Sequence, residues 1–154
     1  MMMASDWPLA LLKPAAALVI WSLVIWGWMM ATRIPALLRA GFDVWRHVGG
    51  TGADAASLVP DRVQWKADNH NHLMEQPTLF YAVIAILALA TPTPSHMAAA
   101  VTLAWCYVGL RVVHSLIQAI SNRILYRFTT YLLATLALAA LAALCVPTLW
   151  HVTL

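Results

Sequence analysis

Long apolar stretches alternate with short polar ones along this chain, and the lengths of the apolar stretches decide how it is read. Pro14 to Thr32 carries no charged residue and is bounded by Lys13 and Arg33. A helix crossing the ~30 Å hydrocarbon layer needs about 20 mostly apolar residues, so a first transmembrane helix is predicted over 12–34. A second uncharged stretch, Gln76 to Leu110, is interrupted by Thr91-Pro92-Thr93-Pro94-Ser95. Proline lacks the N–H that a helix interior requires, so this segment reads as a tight turn between two helices. One ends near Thr91 and the next starts near His96, giving spans of 70–91 and 96–121. The Ala- and Leu-rich stretch from Phe128 to Leu149 supplies the fourth span, over 127–149. Its small residues allow close helix contact, within the chain or between subunits. The fold predicted is an all-α, integral membrane four-helix bundle, a single domain over 1–154.

Residues 35–66 differ from the rest. Arg39, Arg46, Arg62 and Lys66 mix there with Asp43, Asp54 and Asp61 around a Gly49-Gly50-Thr51-Gly52 turn. A polar loop is expected, with a short interfacial helix around Pro35 to His47; apart from the termini, Gly49 to Ser57 is the segment where disorder is expected.

Composition agrees with lipid as the solvent. Apolar residues make up 62% of the chain and charged residues 10%, with a mean hydropathy of +0.76; soluble domains run near 45–50% and about 25%. The first apolar stretch is long, has no small-residue cleavage site and ends at a positive charge, so it reads as a retained helix rather than a signal peptide. The net charge of +3 is spread thinly between apolar runs, unlike the clustered footprint of a nucleic-acid binder. Positive charge instead sets orientation. The 35–66 loop and the Arg123/Arg127 turn are assigned to the cytoplasm, leaving Lys13 opposite and both termini non-cytoplasmic. Cys106 and Cys145 fall inside apolar stretches and read as buried small hydrophobes rather than a disulfide.

Helix length then forces charges into the membrane. Gln76 to Thr91 spans only roughly 24 Å, so the second helix must continue back through Glu75, His72 and Asn71. For the same reason the third helix must run on through Arg111 and His114 toward Ser121. Measured from their shared turn, Glu75 and Arg111 reach nearly the same depth, roughly 22–24 Å in. Such a charge is costly unless it is paired or faces water, so a Glu75–Arg111 ion pair is expected. Arg111, His114, Ser115, Gln118 and Asn122 fall on one face of the third helix, and Asn71 shares a face with Glu75. The two stripes predict a polar pocket open to the cytoplasmic side.

Two segments carry a family resemblance. The run Arg62-Val-Gln-Trp-Lys66-Ala-Asp-Asn69-His-Asn71-His-Leu-Met-Glu75-Gln-Pro77, and Arg111-Val-Val-His114 followed by Arg127 and Tyr131, resemble the MAPEG family, the membrane-associated proteins of eicosanoid and glutathione metabolism. The resemblance implies a homotrimer binding glutathione between neighbouring subunits. It implies Arg33, Lys66, Asn71 and Glu75 as glutathione contacts, with Arg111, His114 and Gln118 in the pocket. It implies Arg127 as the group that holds the thiolate and Tyr131 as a contact one turn further on. The chain departs from the family pattern in four ways. Asn71 lies four residues from Glu75 instead of three, leaving Asn69 as an alternative. Lys66 stands where arginine is usual, Gln118 where the synthases carry tyrosine, and Phe128 where a small hydroxyl residue follows the arginine.

Plainer readings stand beside these. Glu75 and Arg111 could serve only to lock two helices, His114 could simply bond across helices, and Arg123 and Arg127 are what a positive-inside loop supplies. Asp68, His70, His72, Glu75 and His114 invite a metal, but His70 and His72 diverge on a helix and no zinc spacing is present, so none is assigned. The expected function is glutathione-dependent transfer or peroxide reduction on a lipophilic substrate. The alternative is a non-catalytic membrane protein of the same fold holding a lipid or partner helix.

Overall fold

A computed structural model of the chain describes residues 7–43, 46–90 and 92–150, which form six helices in sequence. They are α1 (Trp7–Arg39), α2 (Gly52–Ala56), α3 (Asp61–Glu75), α4 (Pro77–Ala90), α5 (Pro94–Ile120) and α6 (Ile124–Trp150). α3 and α4 follow each other end to end as one span, Asp61–Ala90, so four helices are long and apolar enough to cross a membrane.

The elements run longer than the apolar stretches alone suggest. α1 passes through Pro14 and Pro35 and ends at Arg39, where Gly41 at φ 77° turns the chain. Pro35 therefore extends the first span, and no separate interfacial helix forms from Pro35 to His47; residues 44 and 45 lie outside the described residues. The short helix of the loop is α2 instead. Its N-cap Thr51 accepts from the Asp54 N–H, and Asp54 Oδ2 accepts from the Thr51 N–H at 2.7 Å. This capping box satisfies two donors that a helix start leaves open, so within the segment expected to be disordered Gly52–Ala56 is helical. The same bonds from Thr51 hold the Asp54 carboxyl below the usual carboxylate range.

The second span begins at Asp61 rather than near residue 70. Its polar first turns read as loop by hydropathy, yet Pro60 supplies an extended residue ahead of Asp61 in the first turn, a favourable helix start. Pro77, without an N–H to give, divides the span after Gln76. The last helices begin at Pro94 and Ile124, slightly earlier than expected, and Thr91 lies outside the described residues.

Residues 121–123 alone connect α5 to α6, so the two pack antiparallel along their length. Asn122 makes the turn possible by taking φ 49°, a left-handed conformation that asparagine tolerates better than most residues. α1 packs on α3, α4 and α5, α4 on α6, and α3 on α5. The core is a set of one-sided stripes: Leu11, Leu18 and Ile25 from α1; Phe80, Ile84 and Leu87 from α4; Met97, Ala100 and Ala104 from α5; Ala134, Leu138 and Leu141 from α6. Leu23, Leu89, Leu136 and other large apolar side chains point away from the bundle. That outward apolar coat suits a lipid surround. Cys145 is buried as expected, but Cys106 faces outward, and neither is in a disulfide.

Candidate functional site

Half of one helix face is polar. Buried residues on α5 run Met97, Ala100, Ala104, Tyr107 and Val108, then Arg111, His114, Ser115 and Gln118, with Ala119 at the end, so the stripe changes from apolar to mainly polar at a single turn. The expected Glu75–Arg111 ion pair does not form among the described residues. Arg111 is completely buried, and its Nη2 donates to the His72 carbonyl oxygen at 2.7 Å, while Nε and Nη1 find no acceptor among the described residues. Arg111 therefore meets the second span at the expected depth but bonds to its backbone. Glu75 instead accepts from His72 Nδ1 at 3.0 Å, because residues three apart on a helix are neighbours. Its side chain is 68% exposed.

Burying an arginine inside a span costs about 2.5–3.5 kcal/mol on insertion scales, and the bond to the His72 carbonyl offsets part of it. Ser115 donates to Asn69 Oδ1 at 2.8 Å, both groups fully buried. Asn69 Oδ1 thus joins α3 to α5, while its buried Nδ2 finds no acceptor among the described residues. His114 is held on both sides: Nδ1 lies 2.9 Å from the Arg127 carbonyl oxygen and Nε2 3.1 Å from Gln118 Oε1.

Beside this stripe lies a cleft of about 310 Å³. Asp68, His72 and Glu75 of α3 form one wall; His114 and Gln118 of α5 form the floor; Ile124, Arg127, Phe128 and Tyr131 of α6 form the other wall. Arg127 reaches in with Nη1 donating to Asn122 Oδ1 at 2.8 Å. An amide partner leaves the guanidinium charge uncompensated, ready for an anion. The ring of His72 lies 5.1 Å from that of His114 and 5.2 Å from that of Tyr131.

Of the residues singled out from the sequence, Glu75, His114, Gln118, Arg127 and Tyr131 meet in this cleft, with Arg111 buried behind it. Lys66, Arg33 and Asn71 do not. Lys66 Nζ donates to the carbonyl oxygens of Arg62 and Ala119 and sits 5.2 Å from the centre of the Trp28 ring. Arg33 donates to the Gly52 carbonyl oxygen at 2.7 Å, and with Asn71 lines a separate hollow of about 580 Å³ between α1, α2 and α3. In their place the cleft takes Asp68 and His72. Spacing alone did not single them out: Asp68, Asn71 and His72 stand seven, four and three residues before Glu75, all within one helical face, and the rotation of α3 turns Asn71 to the hollow beside α1.

Four membrane-capable helices with a polar cleft at one end of the bundle define a polytopic helical membrane protein with an embedded polar site. The chain belongs to the MAPEG family, whose family model matches residues 11–147, from the first turn of the first span nearly to the end of the last. No curated protein and no solved structure matches it.

Proposed function

We propose that this protein is a glutathione-dependent membrane transferase or peroxidase acting on lipophilic electrophiles that partition from the bilayer. The observation that carries the reading is Arg127, a cation bonded to an amide oxygen and facing a cleft within the membrane-capable part of the chain. A nearby positive charge favours the thiolate of a bound thiol, the form that attacks electrophiles. Tyr131, on the same wall, contacts the same ligand. Family members are generally trimers, and we take this chain to be a homotrimer with its clefts at the cytoplasmic face and both termini on the other side. In that assembly the hollow holding Arg33 and Asn71 serves a neighbouring subunit's cleft, which would reunite the residues that one chain keeps apart.

One observation favours a second reading. The α3 wall presents Asp68 and Glu75, two carboxylates, where a ligand rich in carboxylates calls for cations, and Lys66 is committed elsewhere. A non-catalytic protein of the same fold, holding a lipid or a partner helix, would tolerate that change. Calorimetric titration of the detergent-solubilised protein with glutathione separates the two. Saturable binding weakened by Glu75→Gln and Arg127→Ala supports the enzyme; absence of binding supports the scaffold.

A further inference from the structure

The two histidines of the cleft are in different situations. His114 has oxygen atoms against both ring nitrogens and is nearly inaccessible, so it is bound into the α5–α6 joint. His72 has only Nδ1 engaged, by Glu75 Oε2 at 3.0 Å. Its Nε2 meets no hydrogen-bonding group among the described residues, and its side chain lines the cleft and keeps 26% of its surface exposed. A carboxylate on Nδ1 fixes the proton on that nitrogen and leaves the lone pair on the other. The ring cannot swing freely, because Tyr131 and His114 lie against it at 5.2 and 5.1 Å. An imidazole oriented by a carboxylate, with its basic nitrogen turned to a ligand space, is the arrangement that takes a proton from a nucleophile.

We propose that His72 is the general base that deprotonates the bound thiol, with Glu75 as the residue that positions it. This rests on the thiol chemistry proposed above and adds a proton acceptor to it. The thiol S–H proton moves to His72 Nε2, and the bond's electron pair stays on sulfur as thiolate, beside Arg127. Sulfur then forms an S–C bond to the electrophilic carbon. The bond from that carbon to its departing atom breaks, and the departing atom takes the electron pair and then the proton from the imidazolium. Glu75 stabilises the imidazolium between the two transfers. The two cleft groups thus divide the work: His72 carries the proton and Arg127 carries the charge that remains.

The test is the rate of thiolate formation, read by ultraviolet absorbance after rapid mixing with saturating glutathione. General-base removal predicts a rate about 100-fold lower in His72→Asn, with glutathione affinity by calorimetry within about threefold of the parent. With glutathione saturating each variant, added imidazole should restore the rate in His72→Ala, and restore it far less in His72→Ala/Glu75→Gln, a dependence that a Glu75 acting only in structure or glutathione contact would not produce. Should His72→Asn fail to fold, the rescue in His72→Ala decides. Parent-like thiolate formation in a glutathione-binding His72→Asn protein, or no rescue by imidazole, overturns the assignment and leaves the proposed function standing. A parent protein that binds no glutathione overturns both.

Discussion

Met97, Ala100, Ala104 and Tyr107 on the first half of α5, and Arg111, His114, Ser115 and Gln118 on the second, lie along one buried face of one helix. The first half meets apolar neighbours and needs only shape to match; between helices in lipid, close packing supplies most of the attraction. The second half needs named acceptors, and takes them from three places: the His72 backbone, the Asn69 side chain and the start of α6. Tyr107 stands at the boundary, its ring stacked on Phe80 at 4.5 Å and its hydroxyl reaching toward Gln76. Equal burial therefore serves two purposes: one half holds the bundle together, and the other fixes the register of the helices that form the cleft.

Substitutions in the two halves should separate stability from chemistry. Ala104→Leu forces extra volume into a site with no exposed surface and should destabilise the bundle by about 1–3 kcal/mol, lowering the thermal midpoint while leaving glutathione affinity at the parent value. Arg111→Met should do the reverse. Replacing a buried charge with a similar apolar volume is often neutral for stability, so the melt should barely move, while glutathione affinity falls about tenfold, roughly 1.4 kcal/mol. Asn122→Gly keeps the left-handed turn but frees Arg127, and should reduce the bound thiolate signal by about 1 kcal/mol equivalent, the worth of one ordinary hydrogen bond, with little change in the melt. Ser115→Ala removes one interhelical bond and should cost about 0.6 kcal/mol, the average for such bonds in membrane proteins. If Ala104→Leu weakened glutathione binding as much as Arg111→Met, the division between the halves would not hold.

The four spans, their shared depth and the polar stripe on α5 were legible because hydrophobic length and helical period act within one segment. The partner of Arg111 was not. Depth placed it against the second span, but the choice between the Glu75 side chain and the His72 carbonyl depends on the rotation of α3 about its own axis, which one segment's pattern does not set. The same rotation explains why Asp68, Asn71 and His72, all within one helical face of Glu75, part company: Asn71 turns to the hollow beside α1, while Asp68 and His72 line the cleft. The polar opening of α3 was hidden for another reason. Asp61 to Asn71 is too hydrophilic to read as membrane helix, and only its packing against α1 and α5 makes it a continuation of the span.

The proposed chemistry requires Arg127 to hold a sulfur anion in the cleft. The ultraviolet difference spectrum on adding glutathione to the purified protein reads this directly. A thiolate band is expected in the parent and absent in Arg127→Ala; a parent protein without that band, or a variant in which it persists at equal height, would contradict this role of Arg127.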